Sequence, residues 1–142
     1  MSDKPKVLVI CTGNSMRSQL AEAVLRKALG DQIDVFSAGT NPGTIYPMVI
    51  DVLRDAGIDA SKQYSKSVNE FLNQQMDMVI TVCDHANEVC PHFPNARKRV
   101  HRGYPDPIRL ATNANEYDVF CQLRDRIRAE LVPLVIRELD LH

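Results

Sequence analysis

Neither sign of charge dominates this chain: 17 lysines and arginines stand against 18 aspartates and glutamates, a net charge of −1. A broad electrostatic footprint for nucleic acid is thereby excluded, and any anion that binds must do so at a local site. Long apolar runs are missing too. The first residues, Met-Ser-Asp-Lys-Pro-Lys, are polar, and the apolar stretch behind them is far too short for a secretion signal or a membrane span. Neither nucleic acid nor membrane is expected as a partner, and the cytoplasm is the default location. Internal repeats, low-complexity tracts and linker-like stretches are also absent, so residues 1–142 read as one domain. A chain of this length buries about two thirds of its unfolded surface, enough for a core without disulfide support. In a reducing compartment its four cysteines are then expected to be catalytic, redox-active or metal-binding rather than structural.

What is present concentrates near the start. Val7 to Ile10 is an apolar run rich in β-branched residues and reads as a buried parallel strand, and Ser18 to Leu29 reads as an amphipathic helix. Between them lies Cys11-Thr12-Gly13-Asn14-Ser15-Met16-Arg17-Ser18, a turn that begins with a thiol and ends beside a guanidinium. A strand, turn and helix in that order aim backbone N–H groups and the positive end of the helix dipole at one small volume. Gly13 is expected to allow a tight backbone path that a side chain would block, and Arg17 adds a planar fork suited to a tetrahedral oxyanion. Cys11 lies at the bottom of this positive field, which favours its thiolate. The turn holds an anion against a nucleophile.

The remaining chain alternates strands with helices. Ile33 to Ser37 is expected as a strand, Pro47 to Ala56 as a helix closed by Gly57, and Ser67 to Glu70 as a capping box opening a short helix through Asn73. Met78 to Val82 is an apolar strand ending at Cys83, Lys98 to Arg102 an edge strand, and Asn115 to Leu139 a long helix with a kink expected at Pro133. Its apolar side includes Tyr117, Phe120, Ile127 and Leu131, and Cys121 reads there as a packed thiol. Such alternation implies a parallel sheet covered on both faces, with ligands at the carboxyl ends of its strands. Cys11 and Cys83 each follow a predicted strand and so belong to one edge.

Cys11 to Ser18 behind an apolar strand resembles the phosphate-binding loop of the low-molecular-weight protein tyrosine phosphatase family; Asn14 and Ser18 fit that pattern as well. The resemblance implies an α/β three-layer sandwich with a central four-stranded parallel sheet, and an oxyanion bound by Thr12, Gly13, Asn14, Ser15, Met16, Arg17 and Ser18.

Cys83 and Cys90 frame a second cysteine segment. Read from the residues alone, they are two small buried thiols, or zinc ligands together with His85 and His92, or partners of Cys11 in a redox relay. The relay fits the first loop best, because a second thiol can attack the sulfur of a covalent adduct and a third can move the disulfide outwards. With this pair the chain resembles a branch of the family, the thioredoxin-coupled arsenate reductases. That likeness implies reduction of arsenate to arsenite by a monomer without metal or cofactor. Cys11 is its nucleophile, Cys83 attacks the adduct, Cys90 attacks the resulting disulfide, and thioredoxin reduces the Cys83–Cys90 bond. The alternative is a phosphomonoester hydrolase of the phosphatase type. Asp106, between Pro105 and Pro107, is placed to protonate a leaving oxygen. Lys66 stands where some relatives have an acidic residue near a monovalent-cation site, whose counterparts here are Asn14, Glu22 and Ser37. An ammonium in that place is the expected occupant where those relatives hold potassium, and whether potassium is needed is left to measurement.

Overall fold

The computed structural model of the chain describes residues 4–84 and 96–141. His85, Cys90 and His92 lie outside the described residues. β1 (Lys6–Cys11) takes the central place because Val7, Leu8, Val9 and Ile10 are apolar on both faces and fully buried. Each such side chain contributes about 1.5–3 kcal/mol by leaving water. β1 lies between β2 (Asp34–Gly39) and β3 (Met76–Thr81), and β4 (Ala96–His101) joins the far side of β3 as an edge. All pairings are parallel, in the order β2-β1-β3-β4. Arg97, Lys98 and Arg99 expose charge along the edge strand, which discourages pairing with another sheet.

Helices α1 (Arg17–Leu29), α2 (Pro47–Asp55), α3 (Pro107–Leu110) and α4 (Glu116–Glu138) complete a three-layer α/β sandwich. On α1, Leu20, Ala21, Val24 and Leu25 turn inward and the helix packs along α4. α2 starts with Pro47 in its first turn, and Gly57 just beyond it takes φ +78, a conformation that a glycine adopts without strain. Phe120, Ile127, Leu131 and Val135 form the buried face of α4, which continues across Pro133. Tyr117 departs from the expected face: it is exposed, and its hydroxyl bonds Asp55. Cys121 is half-buried and packs against the core. The capping box at Ser67 forms, with Ser67 Oγ accepting from the Asn69 N–H at 3.1 Å and Glu70 accepting from the Ser67 N–H at 3.3 Å. It opens only a 3-10 turn, Val68–Phe71, shorter than the expected helix, with Val68 and Phe71 buried in the core and Leu72 packed against it. No described helix is long and apolar enough to cross a membrane.

The register brings the chemistry together. Cys11 lies opposite Gly39, Ile10 opposite Thr81, and Thr81 opposite His101. The carboxyl ends of all the strands therefore open onto one edge.

Candidate active site

Cys11 ends β1 almost wholly buried, and the chain then turns through residues 12–16 before α1 begins at Arg17. The carbonyls of this turn point away from its centre because a neighbouring segment takes them. Cys11 O accepts from the Thr40 N–H at 3.2 Å, Thr12 O from Asn41 at 2.9 Å, Gly13 O from Gly43 at 3.0 Å and Ser15 O from Tyr46 at 3.1 Å. Ser65 Oγ donates to Gly13 O as well, at 3.0 Å. With its carbonyls turned outward, the turn leaves its N–H groups for an anion.

Asn14 is the knot of the turn. It is fully buried at φ +48, and every polar position of its side chain is used. Nδ2 donates to Ser18 Oγ at 2.7 Å and Ser37 Oγ at 2.9 Å, while Oδ1 accepts from Gln19 Nε2 at 3.0 Å and the Lys66 N–H at 2.8 Å. Ser18 Oγ in turn lies 2.8 Å from Cys11 Sγ. Since Asn14 donates into Ser18, the Ser18 hydroxyl proton is available for a Cys11 thiolate. Behind Asn14, Ser37 donates to Glu22 at 2.6 Å, Arg26 pairs with Glu22 at 2.7 Å, and the Lys66 ammonium stands 3.7 Å from the same carboxylate. Burial lowers the Lys66 pKa from its ordinary value, with Glu22 opposing that shift.

Gly13 does not have the role expected of it: a Cβ there would meet only Ser15 Cβ, at 3.6 Å. The crowded glycine is Gly39, where a Cβ would come within 2.6 Å of Thr12 O and 2.9 Å of Asn14 N, and the left-handed residue is Asn14. Ser15 and Met16 complete the turn, Met16 as the residue preceding α1.

Arg17 reaches across the edge and donates from NH1 to Tyr104 O at 2.9 Å. Its Nε is buried with no partner among the described residues, a donor that a tetrahedral oxyanion suits. Cys83 is buried, with Sγ 3.3 Å from Thr12 Oγ1. Arg17, Cys83, Tyr104, Pro105, Asp106 and Arg109 border a cleft of about 380 Å³. Asp106 caps α3, with Oδ1 accepting from the Ile108 N–H at 2.9 Å, and borders the cleft. Tyr104 is anchored by its hydroxyl, which donates to Glu130 at 3.0 Å; burial and Glu130 together raise its pKa. The structure thus brings Arg17, Cys83 and Asp106 to one opening, with Cys11 buried at the other end of the turn that leads to Arg17; Cys90 lies outside the described residues.

Sequence reasoning missed Gly39, Gln19 and the segment 40–46. A glycine at the end of a strand was the available signal for the first. The outward carbonyl bonds had none, because backbone pairing leaves no trace in side-chain pattern.

A parallel sheet with a Cys-x5-Arg turn at its carboxyl edge defines a class: residues 6–140 match the low molecular weight phosphotyrosine protein phosphatase family, and the chain belongs to it. Its relatives narrow the likeness. An arsenate reductase of Halalkalibacterium halodurans is 40% identical over 126 residues, which span 88% of this chain and 91% of that protein. Among solved structures, an arsenate reductase in the phosphate-binding state has 26% identity and a TM-score of 0.81, covering 94% of this chain and 98% of the other. The thioredoxin-dependent arsenate reductase of Corynebacterium glutamicum has 29% identity and a TM-score of 0.68, covering 94% of this chain and 64% of the other.

Proposed function

We propose that this chain reduces arsenate to arsenite through a three-cysteine relay and takes its electrons from thioredoxin. The observation that carries the reading is a second thiol beside the first loop: Cys83 Sγ touches Thr12 Oγ1 at 3.3 Å and borders the same cleft as Arg17 and Asp106. A phosphomonoester hydrolase has no use for that thiol, since water resolves its phosphocysteine. The arsenate reductases among the relatives support the same substrate.

In the proposed reaction, arsenate binds to the N–H groups of residues 12–17 and the Arg17 fork. Cys11 Sγ attacks arsenic, and Asp106 supplies the proton with which an arsenate oxygen leaves as water. The Cys83 thiolate then attacks Cys11 Sγ. The Cys11–arsenic bond breaks with its electron pair going to arsenic, so As(V) becomes As(III) and two thiols become the Cys11–Cys83 disulfide. Cys90 attacks Cys83, frees Cys11 and forms the Cys83–Cys90 disulfide, and the thioredoxin dithiol reduces it. The balance closes without a metal or cofactor. The protein acts as a cytoplasmic monomer in this reading.

Arsenate-dependent NADPH consumption with thioredoxin and thioredoxin reductase tests it. Turnover by the wild type and its loss in Cys11→Ser, Cys83→Ser and Cys90→Ser are expected. An inactive wild type that hydrolyses an aryl phosphate through Cys11 overturns the reduction and installs the phosphatase alternative.

A further inference from the structure

The residue that follows Cys83 is tied to the edge strand by an arrangement the proposed chemistry does not use. Before Cys83, Val82 is held by its backbone, donating to Ile10 O and accepting from the Tyr104 N–H, both at 2.9 Å. After it, Asp84 Oδ1 lies 2.8 Å from His101 Nε2. His101 ends β4, and its Nδ1 lies 2.8 Å from Oγ1 of Thr81, which is fully buried at the end of β3. An ionised Asp84 can only accept, so Nε2 donates, and in a neutral ring Nδ1 then accepts the Thr81 hydroxyl proton. The imidazole is therefore oriented from its buried side and aimed at the carboxylate.

An exposed ion pair contributes little to stability, and the Asp84 side chain is 87% exposed. At Gly103 a Cβ would sit 2.7 Å from Asp84 Oδ1 and 3.1 Å from His101 Nε2, a contact that the exposed carboxylate relieves by shifting away from its present place. A buried orienting hydroxyl and a carboxylate adjacent in sequence to a thiol together fix a position rather than add strength.

We propose that His101 is a positioning residue for Cys83: through Asp84 it holds the chain directly after the thiol, so that Cys83 Sγ stays beside Thr12 and in reach of the Cys11 adduct. The role rests on the relay reading. It concerns the step in which Cys83 attacks Cys11 Sγ, the electron pair of the Cys11–arsenic bond passing to arsenic as arsenite leaves.

A Cys90→Ser background isolates that step, because the relay then stops at the Cys11–Cys83 disulfide. Its formation is followed by quenched thiol titration after addition of arsenate. His101→Leu is expected to slow it roughly 10- to 100-fold, the range for a misplaced reacting atom. Its Kd for inorganic phosphate, which reports on the loop alone, is expected to stay within about twofold. His101→Gln places an amide N–H near the site of Nε2 and is expected to recover to within about threefold of the His101 rate. A Leu variant as fast as its parent, or a Gln variant no faster than Leu, overturns the role. If His101→Leu does not fold, Asp84→Ala is read in the same assay; the same slowing supports the role and an unchanged rate overturns it. Arsenate turnover by Cys83→Ser with Cys90 intact would instead defeat the relay, and the positioning role with it.

Discussion

The turn after β1 and the chain after β3 leave the same edge of the sheet, but they are held by different means. In the first, outside N–H groups bond the carbonyls of Cys11, Thr12, Gly13 and Ser15, and Asn14 is locked by its whole side chain. In the second, Cys83 Sγ meets the Thr12 hydroxyl, Val82 before it is held by its backbone, and Asp84 after it joins His101 in an exposed pair. The difference matches two tasks. An anion cradle works when its donors are fixed before the anion arrives. A thiol that serves an inner partner and then an outer one has to be presented and afterwards released.

Substitutions on each side break or sharpen this contrast. Asp106→Asn, outside the anion turn, is expected to lower turnover roughly 10²- to 10⁴-fold by removing the proposed proton donor. Its phosphate affinity, followed by calorimetry, should change little. Arg17→Lys, on the fixed wall, should cost roughly 10²- to 10³-fold in turnover. There the phosphate affinity should fall too, because a lysine cannot reproduce the fork or the bond to Tyr104 O. Equal behaviour of the two variants in phosphate binding would erase the distinction.

Asn14→Ala removes the donor to Ser18 and Ser37 and the acceptor of the Lys66 N–H, and puts an alanine at φ +48. A loss of about 3 kcal/mol or more in urea unfolding is expected. Gly39→Ala should cost about 1–3 kcal/mol through its clash with Thr12 O. Gly13→Ala, whose Cβ would make only an ordinary contact with Ser15 Cβ, should cost less than about 1 kcal/mol. A reversed order for the two glycines would contradict the crowding described for Gly39.

The smallest effect belongs to Lys66. Its lowered pKa means that the folded state binds fewer protons than the unfolded chain in the alkaline window ending at the free value of 10.5. Stability therefore rises with pH through that window, a penalty on the charged form being relieved as the ammonium deprotonates. Lys66→Met should flatten this slope in urea midpoints measured across alkaline pH. With the ammonium already 3.7 Å from Glu22, the wild type should turn over equally in potassium and sodium salts. Strong activation by potassium would count against the lysine as stand-in.

Much of this was legible in the sequence wherever neighbours along the chain decide the outcome. Val7 to Ile10 is apolar without alternation, which suits only a strand buried on both faces. Cys11 to Ser18 carries its chemistry within one turn, so strand, loop and helix start could be read together. The alternation of strands and helices implied the parallel sheet, and with it the shared edge of Cys11 and Cys83.

Other features depend on residues far apart in sequence, which only the folded chain brings together. Whether Gly13 or Gly39 is the crowded glycine turns on the approach of β2 to the loop, and Tyr117 faces outward because Asp55 of α2 holds its hydroxyl. The outward carbonyls of the loop come from residues 40–46, and the His101–Asp84 pair comes from the register of β4 on β3. The sequence by itself determined the strand, the anion turn and the order of elements, because these follow from local periodicity and residue type. Tertiary structure decided which backbone groups face the anion and what holds Cys83, because those contacts form only when separate strands align at one edge.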